Sequence, residues 1–269
     1  MSFTTILPPA VLQPFVRYFW ILESEEDASE KSFRTMADGC PGIIFQHPDS
    51  GNFFQQNKKL PDTFLFGQTT RYAELHLSGK FSTVGVYLQP NALKTVFHLK
   101  AEELTDSCMN LNLLARSEEN LSEILSNTQH AKARVTLIRE YLVRQVEINS
   151  KSYDSAIEFA LRKILTSNGQ IALADLQNEL QLTERSFHRK FKEHTGIAPK
   201  LFSRIIRFQA SLKKLEAADY HKLSDLAYGH EYADQSHFIR SFKEFSGMSP
   251  TQFQKQTQGV IDNLAEVIK

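Results

Sequence analysis

A repeated pattern near the C-terminal end is the feature of this chain that most constrains its fold. Between residues 187–202 and 238–253, eight of sixteen aligned positions are identical, each pair lying 51 residues apart. The identical pairs are Phe187 and Phe238, Arg189 and Arg240, Phe191 and Phe242, Lys192 and Lys243, Glu193 and Glu244, Gly196 and Gly247, Pro199 and Pro250, and Phe202 and Phe253. A unit that occurs only twice cannot build a solenoid, which needs at least three units. The repeat therefore predicts two small helical modules built alike.

Each copy follows the order helix, turn, helix. Residues 173–180 and 223–227 have the apolar spacing of short helices. Thr183 and Asp234 then stand where a second helix begins, and both residue types make good N-caps. That second helix carries two Phe residues four positions apart on one face. This is the helix-turn-helix plan, expected over residues 172–196 and 222–247, whose second helix enters the major groove of DNA.

The residues that face away from the paired Phe side chains suit DNA recognition. Arg can grip guanine with a planar fork, Gln can do the same for adenine, and further basic side chains can hold phosphates. The predicted DNA-binding residues are Arg185, His188, Arg189, Lys192, Gln235, Ser236, Ile239, Arg240 and Lys243. Any surface helix can carry such residues, but the matched second copy favours DNA recognition.

A single long helix is predicted between the two modules. Residues 200–218 contain no Gly or Pro, and Leu201, Ile205, Phe208, Leu212 and Leu215 form one apolar stripe. About twenty residues give roughly 30 Å of helix, close to the ~34 Å of one turn of B-DNA. One chain can therefore place two recognition helices in successive major grooves without a dimer.

Charge is distributed unevenly along the chain. Its net charge is zero, yet residues 155–257 hold fifteen Lys and Arg against eleven Asp and Glu, whereas residues 1–154 hold fifteen against eighteen. Only the C-terminal part has the sign expected for a DNA partner. Two cysteines, no long apolar run and no signal peptide predict a cytoplasmic protein without a membrane span.

The N-terminal part, residues 1–150, has a different pattern. Short runs rich in aromatic and β-branched residues predict strands, and turn clusters such as residues 38–42 separate them. The predicted strands cover residues 15–22, 43–46, 63–67, 73–77 and 83–88. Helical patterns follow at residues 91–98, 111–114, 117–125 and 129–148, then a charged linker at 147–152. A small barrel or sandwich with trailing helices is expected, and residues 258–269 form a C-terminal tail.

The C-terminal residues resemble a known family. Residues 155–257, above all the run from Asp234 to Lys243 with Gly247, Ser249, Pro250 and Phe253, are similar to the DNA-binding domain of the AraC/XylS transcriptional regulators. The resemblance implies seven helices, with Arg185, His188 and Arg189 contacting one half of a DNA site. It likewise implies Gln235, Ser236, Ile239 and Arg240 for the other half. It further implies a bacterial regulator, more often an activator, that contacts promoter DNA and RNA polymerase.

Shorter phrases in the N-terminal part resemble the effector and dimerisation domain of one branch of the same family. They are residues 14–20, 38–41, 67–70 and 103–106. The resemblance implies a cupin-like barrel and an unassigned small-molecule effector, and residues 129–148 would then be the candidate surface of a homodimer. The apolar stripe of that helix equally suits an intramolecular core.

Two positions depart from the family pattern. The turn of each module usually contains Gly, where this chain has Gln181 and Glu231. Gly adopts a positive φ without steric cost, so a changed turn or modest strain is expected. Glu231 also adds negative charge near the presumed phosphate surface, and weaker DNA binding by the second module is expected.

Catalytic and metal sites are not predicted. Metal-binding cupins present a His-x-His pair, whereas His47, His76 and His98 are isolated here, and two cysteines cannot form a four-cysteine zinc site. No cofactor is expected. A small-ligand pocket is a further interpretation, although its residues can simply fill the core. Its candidates are Trp20, Phe45, Phe66, Tyr72 and Tyr87, with Gln68 and Arg71.

Two hypotheses follow for an α+β chain with a cupin-like β-barrel, trailing helices and an all-α domain of two helix-turn-helix modules joined by a long helix. The first is a sequence-specific DNA-binding transcription regulator, modulated through its N-terminal domain by a small molecule or by assembly. The alternative is a cupin-like ligand-binding or enzymatic protein whose helical half is a protein-interaction module.

Overall fold

The N-terminal part folds into two antiparallel sheets. The computed structural model describes residues 2–24, 31–49, 51–77, 79–114, 120–149 and 153–257. The strands are β1 (Ser2–Ile6), β2 (Val16–Ser24), β3 (Lys31–Thr35), β4 (Gly42–Gln46), β5 (Phe53–Gln55), β6 (Lys58–Lys59), β7 (Thr63–Phe66), β8 (Ala73–Leu77), β9 (Phe81–Leu88) and β10 (Cys108–Asn110). One sheet has the order β1-β2-β9-β4-β7-β10 and the other the order β3-β8-β5-β6.

The six-stranded sheet separates two apolar cores. Successive side chains of a strand point to opposite faces, so on β2 Trp20 and Leu22 enter the core shared with the four-stranded sheet. Phe19 and Ile21 of the same strand enter the second core. That second core is covered by α1 (Ala92–Phe97), α2 (Leu121–Ser126) and α3 (Ala131–Asn149). The inner strands β2, β9, β4 and β7 are therefore buried on both faces, as their near-continuous apolar sequences require.

The predicted apolar stripe of the 129–148 helix lies inside this second core. Val135, Ile138 and Leu142 of α3 are buried against the sheet. The stripe is therefore an intramolecular contact, and these three side chains are not available as a surface between copies of the chain. The homodimer stays a prediction, and its interface would have to lie on another surface.

All five predicted strands are present, as β2, β4, β7, β8 and β9, with ends shifted by no more than two residues. The sequence pattern missed five others because they are short or lie at sheet edges. Strand β6 has two exposed Lys residues, and β1 is mostly exposed at the edge of its sheet. The helix predicted at 111–114 is a single 3-10 turn. Predictions for 117–119, 150–152 and 258–269 lie outside the described residues.

Between residues 153 and 257, the C-terminal range that the structure describes, there are seven helices, the number that the family resemblance implies. They are α4 (Ser155–Thr166), α5 (Leu173–Glu179), α6 (Glu184–Thr195), α7 (Pro199–Glu216), α8 (Leu223–Gly229), α9 (Gln235–Ser246) and α10 (Pro250–Thr257). Helix α7 is the predicted long helix, and its 18 residues correspond to roughly 27 Å. Pro199 begins it at a position where the missing amide hydrogen costs nothing.

One aromatic core holds both modules against α7. Phe191 of α6 packs on Phe202 of α7, with ring centroids 5.5 Å apart. Phe242 of α9 packs on Phe208 of α7 at 5.2 Å. Edge-to-face aromatic pairs of this kind each add about 0.5–1.5 kcal/mol beyond the area they bury. Helix α7 is therefore the common support of α6 and α9.

The loop that follows β3 links the two halves of the molecule. Met36 and Ala37 of this loop are buried in the core of the helical domain. The Gln209 side chain of α7 donates a hydrogen bond from Nε2 to the Ala37 carbonyl at 2.6 Å. Among the described residues, no helix combines the length and the apolar character needed to cross a bilayer.

Candidate DNA-binding interface

The second helix of each module begins and ends in the same way. The Thr183 hydroxyl accepts a hydrogen bond from the Ser186 amide at 3.3 Å, and the Asp234 carboxylate accepts one from the His237 amide at 2.7 Å. Both predicted N-caps are confirmed. At the other end, Gly196 has φ +89° and Gly247 φ +79°, the left-handed conformation that ends a helix most readily at glycine. Helices α6 and α9 therefore have matched limits.

The turn of each module retains the left-handed conformation although it lacks glycine. Gln181 has φ +52° and Glu231 φ +53°, and the next amide bonds back to the preceding helix, at 3.1 Å for Leu182 and 2.9 Å for Tyr232. A non-glycine residue in this region stores strain of about 1–2 kcal/mol. The Arg207 side chain donates to the Glu231 carbonyl at 3.3 Å. The expected strain is therefore present, and the turn itself is unchanged.

The predicted DNA-binding residues all lie off the buried Phe faces of α6 and α9. Seven of them are exposed and two are half-buried. The exposed ones are Arg185, Arg189, Lys192, Gln235, Ser236, Arg240 and Lys243, and the half-buried ones are His188 and Ile239. The structure thus arranges them as the helical spacing predicts. Their contacts with DNA stay a prediction.

The basic side chains of this surface differ in their acidic neighbours. The Lys192 ammonium lies 2.9 Å from the Glu102 carboxylate of the N-terminal domain. Among the described residues, Arg185, Arg189 and Arg240 form no ion pair, so their guanidinium groups face solvent. An unpaired guanidinium presents its donors without first breaking a bond to the protein. These three Arg residues can therefore donate to DNA directly, as can Lys243, which is also exposed and forms no ion pair among the described residues.

A second candidate site is a cavity between the two sheets, with a volume of about 740 Å³. Strands of both sheets line it, and its rim includes Met36, Tyr72 and Asp106, which lie near the helical domain. Of the predicted pocket residues, four line the cavity. They are Phe66, Arg71, Tyr72 and Tyr87.

Three predicted pocket residues do not line the cavity. Trp20 is buried against Phe3, with ring centroids 6.2 Å apart. Phe45 points to the opposite face of its sheet, into the core beneath α3. Gln68 is buried and donates from Nε2 to the Gly39 carbonyl at 2.7 Å. The pocket prediction was therefore wrong for these residues, because composition does not indicate which face of a strand is hollow.

Asp38 is one of three acidic residues that line the cavity, with Glu74 and Asp106, and sequence reasoning did not assign it to the pocket. It is half-buried and lines the cavity. Burial raises the pKa of Asp38 to about 6, although the Arg17 guanidinium and the Cys40 amide favour its ionised form. Arg17 also donates to the Cys40 sulfur at 3.0 Å, and burial raises the pKa of the Cys40 thiol to about 11. The only sequence signal for Asp38 was its place in a turn phrase.

Metal ligands do not converge in the part of the chain that the structure describes. Within those residues no group of three or more His, Cys, Asp or Glu side chains is placed to hold a metal ion. The cavity offers hydrogen-bonding groups and aromatic surfaces, which suit binding of an organic molecule.

Comparisons with known proteins match the two halves separately. Residues 176–256 match a family described as "Helix-turn-helix domain". Residues 4–110 match a family described as "Domain of unknown function (DUF6597)". The first match covers both modules, from within α5 to within α10, and the second covers the two sheets.

Among curated proteins, the chain is similar to the "Probable transcriptional regulator LumQ" of Photobacterium leiognathi, 30% identical over 135 residues. This match covers 50% of the chain and 51% of LumQ, so the chain spans about half the length of that relative. The chain is also 22% identical to the "Msm operon regulatory protein" of Streptococcus mutans, over 82% of the chain and 78% of that protein.

Among solved structures, the chain is similar to ToxT from Vibrio cholerae, with 13% identity and a TM-score of 0.46 over 96% of the chain and 99% of ToxT. The helix-turn-helix match, the duplicated motif and the regulators that resemble the chain along its sequence agree with one another. The C-terminal part of the chain therefore matches a helix-turn-helix domain, and the chain is similar along its sequence to transcriptional regulators.

Proposed function

We propose that the protein is a sequence-specific DNA-binding transcription regulator that reads two adjacent major-groove segments. The observation that carries the proposal is the matched pair α6 and α9, with the same caps, the same buried Phe face and an exposed polar face. Arg189 and Arg240 occupy equivalent positions on the two helices and each reads one base pair. Lys192 and Lys243 hold phosphates and fix the register on the duplex.

The N-terminal domain acts as the regulatory part of this protein. We propose that its cavity binds a small organic effector, with Phe66, Tyr72, Tyr87 and Arg71 among the contacting residues. The size of the cavity lies in the range of ligand pockets, about 300–1,000 Å³. The proposal assigns no catalytic step to the chain. Because a regulator of this kind binds promoter DNA, we propose that the protein acts in the cytoplasm and contacts RNA polymerase.

The test is selection of bound sequences from random duplex DNA by the full chain, repeated at two salt concentrations. Two enriched boxes about one helical turn apart are expected, because α7 is nearly as long as one turn of B-DNA. Enrichment of only one box would mean that the second module does not read bases. Weak binding without enrichment that vanishes as salt rises would leave only nonspecific phosphate contacts, and the proposed function would be rejected.

A further inference from the structure

The two glycines that end the recognition helices both rest on the N-terminal domain. Gly196 ends α6 and Gly247 ends α9. Three loops of the N-terminal domain, residues 36–39, 67–72 and 101–107, contact these helix ends, and we name them the docking loops. The duplicated motif of the helical domain therefore meets a single surface that is not itself duplicated.

At the end of α6, the docking loops make a close polar contact. The Thr105 hydroxyl donates a hydrogen bond to the Gly196 carbonyl at 2.8 Å. A Cβ atom at Gly196 would lie 2.9 Å from both the Ala101 carbonyl oxygen and the Thr105 hydroxyl. The backbone of the helix end is thus in direct contact with residues 101–105. An ion pair of 2.7 Å between Lys94 and Glu193 lies beside it.

At the end of α9, the contact is made by an aromatic ring and a backbone amide. A Cβ atom at Gly247 would lie 2.8 Å from the Tyr72 ring, so the ring packs directly on the glycine. The Ala37 amide donates to the Phe245 carbonyl in the last turn of α9 at 3.2 Å. This helix end is therefore held by residues 36–39 and 67–72.

Hydrogen bonds join the docking loops to one another. The Asp106 carboxylate accepts from the Thr70 amide at 2.7 Å and from the Thr70 hydroxyl at 2.6 Å. The Asp106 amide in turn donates to the Gln68 carbonyl at 2.9 Å, and Gln68 holds Gly39 through its side chain. A continuous path therefore runs from Gly196 through Thr105, Asp106, Thr70 and Tyr72 to Gly247. Hydrogen bonds and the backbone connect it as far as Tyr72, whose ring packs on Gly247.

This path is a second connection between α6 and α9, in addition to α7. A single helix fixes the distance between the two modules well. It resists bending and rotation of the modules less well, because it holds both of them from one side. A second connection at the far ends of both helices restricts these motions. Rotation matters for DNA, since one base pair shifts a site by about 3.4 Å and turns it by about 35°.

We propose that the docking loops fix the relative placement of the two recognition helices, so that the N-terminal domain determines which spacing between two DNA boxes is accepted. Thr105 and Tyr72 are the positioning residues of this device, because each contacts one capping glycine. The inference rests on the proposed function and adds a specificity element outside the helix-turn-helix domain.

The test compares spacing profiles of the full-length protein. Duplexes carry the two selected boxes at their selected spacing or at one base pair more or less. We expect the parent protein to bind the altered spacings at least tenfold more weakly. The double variant Thr105→Val, Tyr72→Ala should lose less than threefold on the same duplexes. Thr105→Val is nearly isosteric and Tyr72 is 42% exposed, so the fold is expected to persist.

A matched control is Thr136→Val with Tyr153→Ala. The Thr136 hydroxyl donates to the Lys132 carbonyl within α3 at 3.2 Å, and Tyr153 is 56% exposed. This control should keep the spacing profile of the parent. A duplex with one box measures binding by a single module, and the single variant Thr105→Val, at a residue that does not line the cavity, should bind it within twofold of the parent. If the double variant is unstable, the single variant Thr105→Val replaces it in the spacing test. We expect its profile to lie between those of the parent and the double variant.

Two outcomes overturn the inference alone. A double variant with the profile of the parent would mean that α7 sets the spacing without help. An equal loss on every duplex, including the single box, would mean that these contacts only stabilise the fold. If the parent itself binds no selected sequence, the proposed function fails together with the inference, and that result is seen before any variant is made.

Discussion

Arg189 and Arg240 lie at equivalent positions of α6 and α9, and both are exposed. We predict that Arg189→Ala or Arg240→Ala weakens binding to the selected site by about 1–3 kcal/mol and relaxes preference at one base pair, because an Arg that reads guanine contributes to affinity and to discrimination. Binding to the selected site and to single-base variants measures both effects.

The matched control is Arg162→Ala, at an exposed position of α4 in the same domain. It removes the same charge away from the recognition helices. Binding should therefore fall only slightly and equally for all sequences. Should Arg162→Ala relax base preference as much as Arg189→Ala, the assignment of base contacts would be wrong.

Substitutions at Gln181 and Glu231 can measure the effect of backbone strain separately from the effect of charge. We predict that Gln181→Gly and Glu231→Gly leave stability unchanged or raise it by up to about 1 kcal/mol, since relief of the left-handed strain exceeds or balances the extra entropy of glycine in the unfolded chain. Urea unfolding measures the effect. A loss above 1 kcal/mol in both variants would show that these side chains, and not the turn, decide stability.

The charge of Glu231 is tested by Glu231→Gln, which keeps the strained turn. Removal of the carboxylate should tighten DNA binding by the second module at low salt, because a negative charge near the duplex repels phosphates. The gain should shrink as salt rises. Equal affinity of parent and variant at low salt would place Glu231 away from the duplex.

Among the helices, α4 depends on a cap that also carries a charge. The Asp154 carboxylate accepts hydrogen bonds from the Ala156 and Ile157 amides and lies 3.0 Å from the Lys190 ammonium. Burial opposes its ionisation, but the hydrogen bonds from Lys190 and Ile157 hold the pKa of Asp154 below its ordinary value. Loss of such a cap costs about 0.5–2 kcal/mol.

We predict that Asp154→Ala lowers the free energy of unfolding by about 1 kcal/mol at pH 7, while Asp154→Asn, which can still cap, loses less. Because the folded pKa is the lower one, the carboxylate stabilises the fold above the unfolded pKa of about 3.9 and loses this effect as pH falls through the folded pKa. Unfolding at pH 7 and at pH 3 should show the difference between parent and variants shrinking in acid. A constant difference would contradict the charge contribution.

The sequence predicted those helices and strands well in which the local residue pattern and the packing in the fold favour the same structure. Helices α6 and α9 have N-caps and terminal glycines, and α7 has an apolar stripe and an initial proline, so that in each helix the signals indicate the same limits. The cavity was predicted less well, since Trp20 and Phe66 have the same residue character in the sequence and only the sheet packing makes one core and the other lining. The docking loops were visible as short phrases, but their convergence depends on contacts up to 172 residues apart.

At the scale of the whole molecule, Glu102 of the N-terminal domain pairs with Lys192, which we predict to contact a DNA phosphate. Their ion pair is exposed and so contributes little to stability. We predict that Glu102→Gln tightens DNA binding several-fold at low salt and steepens the dependence of log affinity on log salt by about one, because Lys192 then reaches a phosphate. Titrations at four salt concentrations measure both quantities.

Glu103→Gln is the control, since Glu103 is an equally exposed neighbour and lies in the same short turn. It changes the net charge of the protein by the same amount. Its effect on the salt dependence should be smaller than that of Glu102→Gln. An equal effect would indicate a general charge contribution instead of a specific competition.

Met36 and Ala37 complete the core of a domain to which they do not belong in sequence. Exchange of sensor domains among regulators is therefore restricted for this protein. A chimera that joins residues 153–257 to an unrelated sensor would leave Phe202 and Ile206, which contact the 36–39 loop, without their apolar cover. Recombination that succeeds must transfer this loop with the helical domain, because Phe202 also packs on Phe191 inside that domain and cannot simply become polar. The two halves are therefore expected to be inherited as a pair.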